Sequence, residues 1–262
     1  MQKLIIYSDN VTERFAKGNY PYTISRDMFH RINWFPLLPK LAIGNRLPIF
    51  LSWCQSNHHF DFQNINNVVN SRPINKEDLS LEIFDYHTDM YLGLERSEEL
   101  NMGNWVLHLI NNNYSDISIV GVVDFTRTSS FVGSQQYENY IRYKEQVSFF
   151  LGKDFDKKID FKEWDSSQLK LKSLEDFLKK PLRKYSFVSL DCDVSCDFAN
   201  PVRGGAIKIY GVRGEVTIDE LREMINYINK HSEIIGLSIH FIGFQTDEKK
   251  WLNNVKSIID LI

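Results

Sequence analysis

The chain has 262 residues, a formal net charge of −3 and 43% apolar against 25% charged side chains, enough apolar material for a single domain over residues 1–262. Acidic and basic residues are interspersed and make no basic face, which argues against a nucleic-acid partner, and the odd set Cys54, Cys192 and Cys196 fits a reducing compartment rather than a disulfide framework. The opening run from Met1 to Tyr7 is too short for a signal peptide and no stretch approaches the roughly 20 apolar residues that span a bilayer, so a cytoplasmic protein with no membrane partner is expected, as a monomer or a homo-oligomer.

Taken in chain order, apolar runs of strand length fall at 4–7, 48–54, 81–85, 117–123, 187–191 and 234–241. Amphipathic spacing predicts helices over about 95–111, 135–150, 169–180 and 247–262. Thr217-Ile218-Asp219-Glu220 has the form of a capping box, and Leu221, Met224, Ile225 and Ile228 continue it as one buried helix face. Strand and helix alternate, which predicts an α/β fold: a three-layer α-β-α sandwich around a largely parallel central sheet. Two stretches interrupt the pattern. One is aromatic and Pro-containing, from Gly18 to Pro48, and reads as a lid or an extended wrap; the other is Gly-rich, from Val202 to Gly214.

Two acidic motifs stand where apolar runs end. Leu81-Glu82-Ile83-Phe84 leads into Asp85-Tyr86-His87-Thr88-Asp89, and Phe187-Val188-Ser189-Leu190 leads into Asp191-Cys192-Asp193. In open parallel sheets, ligands bind beyond the carboxyl ends of the strands, so both motifs are candidates for one site. Within each motif the ionisable residues are two apart, and in extended chain they leave on the same side. Carboxylates crowded in this way repel one another unless cations neutralise them. A set rich in carboxylate with some imidazole suits Mn²⁺ better than a thiolate-preferring metal. His58-His59, after the second apolar run, offers a further imidazole. The spacing Asp191-x-Asp193-x-Ser195-x-Asp197 also has the outline of an EF-hand loop, but Cys196 replaces the required glycine, Val202 the closing glutamate, and a strand precedes it.

The motifs resemble those of the ureohydrolase (arginase/agmatinase) superfamily, Asp-x-His-x-Asp and Ser-x-Asp-x-Asp-x-x-Asp, here Asp85 to Asp89 and Ser189 to Asp197. The order along the chain agrees, and Asn57-His58 is similar to the family's remaining histidine position. The form Asn57-His58-His59 looks closer to the peptide arginases, which convert arginine to ornithine inside ribosomally made precursor peptides. The resemblance implies an arginase-like fold holding two Mn²⁺ per chain. Asp85 and Asp191 would bridge the ions, His58 and Asp89 would complete one, and His87 and Asp193 the other. The ions would lower the pKa of a water between them. Attack on the guanidinium carbon would then release urea, with Asp89 carrying a proton to the leaving nitrogen.

The chain also departs from the family. The last apolar run, Gly236 to Phe244, contains no carboxylate where arginases place a glutamate against the guanidinium. Asp197, Asp247 and Glu248 are substitutes to consider, each with the competing reading of an ordinary loop or helix-start residue. The family's proton-shuttling histidine has no clear match either: His108 sits among Val106, Leu107, Leu109 and Ile110 as a packed helix residue would, while His240, at a strand end, is a candidate shuttle. Asn104 and Trp105 are the candidate substrate-facing pair, and Trp105 reads equally as core.

The leading expectation is hydrolysis of arginine in a precursor peptide to ornithine and urea. Hydrolysis of free arginine or another small guanidino substrate, a zinc deacetylase-like activity, and a metal-binding protein without turnover stand beside it.

Overall fold

The computed structural model describes residues 1–27, 43, 45–52, 59–90, 99–101, 103–122, 130–152, 171–195, 197–198, 216–240 and 248–262. Its strands are β1 (Lys3–Tyr7), β2 (Thr23–Ser25), β3 (Leu47–Ser52), β4 (Leu79–Phe84), β5 (Ile117–Val122), β6 (Val147–Leu151), β7 (Leu171–Ser173), β8 (Tyr185–Asp191) and β9 (Glu233–His240). They form one nine-stranded sheet in the order β2-β1-β3-β9-β8-β4-β5-β6-β7. Every pairing is parallel. All strands therefore end at one edge.

The six apolar runs of the sequence are β1, β3, β4, β5, β8 and β9. β3 and β4 are buried at every position, as an inner strand covered on both faces must be. The described helices are α1 (Asn10–Asn19), α2 (Asp61–Asn70), α3 (Trp105–Asn111), α4 (Ser130–Tyr143), α5 (Leu174–Phe177), α6 (Ile218–His231) and α7 (Glu248–Ile259). The capping box of α6 forms as expected, with Thr217 Oγ1 accepting from Glu220 N and the Glu220 side chain returning to Thr217 N. Three expected helices are corrected. The stretch 95–111 is helical only from Trp105 on, residues 99–101 and 103–104 preceding α3 as turn and irregular chain. The stretch 135–150 divides into α4 and β6, because Val147, Phe149 and Phe150 are better buried on a pleated surface than along a helix. The stretch 169–180 divides into β7 and the single turn of α5, which Ser173 starts with its own capping box to Asp176.

Alternating side chains of the sheet feed two cores. On one face Leu81, Ile83 and Phe187 pack with Ile65 and Val68 of α2 and Trp105, Val106 and Leu109 of α3. On the other face Phe84, Val188 and Leu190 pack with Phe15 of α1, Leu221, Met224, Ile225 and Ile228 of α6, and Val255 and Ile258 of α7. The result is the three-layer α/β sandwich expected from the alternation. Within the second layer of packing Glu82 is wholly buried; Lys180 Nζ lies 2.8 Å from its Oε1 and 3.1 Å from Asp116 Oδ1. Among the described residues no helix is long and apolar enough to cross a membrane. Cys54, Cys196, the Gly-rich stretch from Val202 to Gly214 and most of the stretch from Gly18 to Pro48 lie outside the described residues.

Candidate metal centre

Strand register sets one row of residues across the edge. Ser52 of β3 pairs with His240 of β9, and His240 pairs with Asp191 of β8. Phe84 of β4 pairs with Leu190 of β8 and with Val120 of β5, so one step further along Asp85 follows opposite Asp191 on one side and Gly121 on the other. Asp85 N donates to Val120 O at 3.0 Å, which carries the strand pairing into the motif. Gly121 leaves room for Val194, in the turn that follows β8, and for Val216. Its φ is +90°, and a Cβ there would lie 2.3 Å from Val194 Cγ2 and 3.0 Å from Val216 Cγ2. The register between β5 and β6 shifts at the same place, as a bulge requires.

Beyond this row the chain folds each motif back on the other. His87 N donates to Asp85 Oδ1 at 2.6 Å, and Tyr86 N donates to Asp193 Oδ1 at 3.2 Å. Asp193 opens from the 3₁₀ turn Cys192–Val194, held by Asp191 Oδ1. As a result Asp85, His87 and Asp193 each bring one donor atom within 4.8 Å of the others. His87 Nδ1 is 3.1 Å from Asp193 Oδ2 and 3.5 Å from Asp85 Oδ1. Asp85, Asp191 and Asp193 are buried, whereas His87 keeps some exposure.

The electrostatics of this cluster favour a cation. Burial alone would push the His87 imidazole down, but the charge and hydrogen bond of Asp193, with those of Asp85, hold it well above its ordinary value. A place where two carboxylates hold a proton on an imidazole is one where a divalent ion can replace that proton. Oxygen and imidazole donors fit a hard or borderline metal. Cys192, between the two aspartates, adds no soft donor: burial first, then the neighbouring carboxylates, push its thiol well up.

The other expected site residues fall as follows. Asp89 is buried at the end of the first motif with φ +50°, a left-handed conformation that aspartate tolerates better than most residues. It accepts a hydrogen bond from Trp105 Nε1, and Trp105 itself is fully buried. Asn104 precedes α3; its Oδ1 accepts from Asn101 N and its Nδ2 donates to Glu99 O. Asp197 Oδ2 accepts from Ile218 N at the start of α6. His108 lies on α3, with its imidazole lowered by burial. His58 and Asp247 lie outside the described residues, while His59 is half-buried with its ring 4.1 Å from that of Phe60.

One residue in this region escaped the sequence reading. Asp61, at the start of α2, is wholly buried, and His240 Nε2 lies 2.9 Å from its Oδ1. Ser189 Oγ donates to Asp61 Oδ2, and Asn64 Nδ2 donates to Oδ1 at 3.0 Å. Burial would raise the Asp61 carboxyl, yet the imidazole of His240 with Ser189 and Ser238 holds it below its usual range. The available signal was an aspartate at a helix start just after His58-His59, together with a serine inside the second motif.

No protein-family model matches the chain, and no curated protein matches it in sequence. Solved structures do. Formimidoylglutamase from Bacillus subtilis is 13% identical, with a TM-score of 0.58 over 100% of this chain and 86% of the other. Proclavaminate amidino hydrolase from Streptomyces clavuligerus is 11% identical, with a TM-score of 0.58 over 99% and 91%. Arginase from Bacillus caldovelox is 12% identical, with a TM-score of 0.58 over 99% and 97%. The chain has the arginase-like α/β fold.

Proposed function

We propose that the chain is a Mn²⁺-dependent amidinohydrolase that converts arginine residues of a precursor peptide to ornithine, releasing urea. The observation that carries this reading is the meeting of Asp85, His87 and Asp193 at the strand ends of an arginase-like sheet. His58, Asp85, His87, Asp89, Asp191 and Asp193 would hold two Mn²⁺. When bound, the ions supply a water of lowered pKa at neutral pH. Asp89 takes the proton that the attacking water gives up and returns it to the leaving nitrogen as the carbon–nitrogen bond breaks. The peptide as substrate rests on the Asn57-His58-His59 form.

The test is product analysis after incubating Mn²⁺-loaded protein with arginine-containing peptides and, separately, with free arginine. Urea with ornithine left in the peptide supports the reading. Urea from free arginine alone overturns the peptide substrate, and release of acetate from acetyl-lysine peptides instead overturns the reaction.

A further inference from the structure

A tryptophan buried in a core needs an acceptor for its N–H, because the indole nitrogen cannot turn toward water and can only donate. Trp105 is fully buried at the first position of α3, and its acceptor is Asp89 Oδ2 at 2.5 Å. The two residues come from different segments and are tied from both ends. Asp89 stands in a left-handed turn at φ +50°. The start of α3 is fixed by Asn104, whose side chain spans Asn101 N and Glu99 O. The ring of Trp105 sits in the same core as Leu81, Ile83, Met90 and Leu107.

From this we infer that Trp105 is a positioning residue for Asp89: its N–H holds one carboxylate oxygen so that Asp89 offers only the other to a metal ion. This rests on the ligand set given under the proposed function. An N–H to a carboxylate is a charge-assisted bond, stronger than its neutral counterpart. A carboxylate engaged in this way binds metal through a single oxygen, with a fixed direction and a reduced share of negative charge. The donor has no acceptor capacity and does not titrate, so Trp105 neither ligates metal nor moves a proton. Phenylalanine would keep most of the ring's packing and lose the bond.

The experiment is a titration of metal-free full-length protein with Mn²⁺, following free Mn²⁺ by electron paramagnetic resonance. The wild type is expected to bind two ions. Trp105→Phe is expected to weaken one of them by about 10–100-fold, the range for removing a partner of a metal ligand, and to leave the other within about threefold. Leu107→Ala, a truncation of a buried apolar residue on the same helix that leaves the Trp105 N–H in place, should leave both affinities in place. If Trp105→Phe binds both ions as the wild type does, or if Leu107→Ala reproduces its loss, the inference is overturned while the metal centre stands. A wild type that binds no Mn²⁺ overturns the proposed function itself. A spectroscopic reading on the wild type covers the case in which Trp105→Phe fails to fold. Among the five tryptophans, the Trp105 indole N–H should be protected from solvent exchange and broadened by bound Mn²⁺; a Trp105 resonance that exchanges freely and stays sharp overturns the inference.

Discussion

His87 Nδ1 lies 3.1 Å from Asp193 Oδ2, so two motifs from opposite halves of the chain meet at one point. Asp193→Asn keeps the shape of the side chain and removes its charge. It should weaken Mn²⁺ retention by more than about 100-fold, beyond the range for residues that only support a ligand. Metal content after gel filtration measures this, and a variant as metal-replete as the wild type would remove Asp193 from the ligand set.

Asp61 ties α2 to the end of β9 through His240. Its carboxyl is held below the unfolded value of about 3.9, so the stability it contributes is present above that pH and is lost as the pH falls through the lower, folded value. Asp61→Asn should cost about 1–3 kcal/mol at neutral pH, as leaving buried hydrogen-bonding partners unsatisfied does. The gap from the wild type should narrow below about pH 4. Urea unfolding at both pH values tests this, and a gap that does not change with pH contradicts it.

Lys180 Nζ serves Glu82 and Asp116 together, with Ser118 Oγ at 2.7 Å. Burial pushes the Glu82 carboxyl up, while the two carboxylates outweigh burial at Lys180 and hold its ammonium above the ordinary value. Lys180→Met strands Glu82 and should destabilise the fold by about 3–5 kcal/mol. Adding Glu82→Gln should recover much of the loss in denaturant unfolding, and a double variant as weak as the single one would show that the pair is not what matters.

Gly121→Ala places a Cβ against Val194, the residue after Asp193, in a backbone conformation that L residues rarely adopt. The expected cost is about 2 kcal/mol or more, with weaker metal retention as the turn carrying Asp193 is displaced. Thermal unfolding and metal content should fall together; a stable variant that loses metal normally bound would separate the bulge from the fold.

Much of this was legible in the sequence because the chemistry and the fold share a signal. An apolar run buried on both faces must end where polar chain begins, and Asp85 and Asp191 stand at those ends. Elements with weak local signals were not legible. Leu171–Ser173 and Thr23–Ser25 are strands only because a neighbouring strand supplies their hydrogen bonds, and Val147–Leu151 continues a helical pattern until pairing with β5 decides it. The contacts of Asp61 with His240 and of Trp105 with Asp89 join distant segments. Neither follows from spacing, and both depend on which helix covers which strand.

The most direct test of the metal centre is an anomalous difference map at the manganese edge from crystals grown with Mn²⁺. Two peaks are predicted beyond the ends of β4 and β8, one of them within bonding distance of Asp85, His87 and Asp193. An empty map at that edge, or manganese only elsewhere on the molecule, would contradict the account.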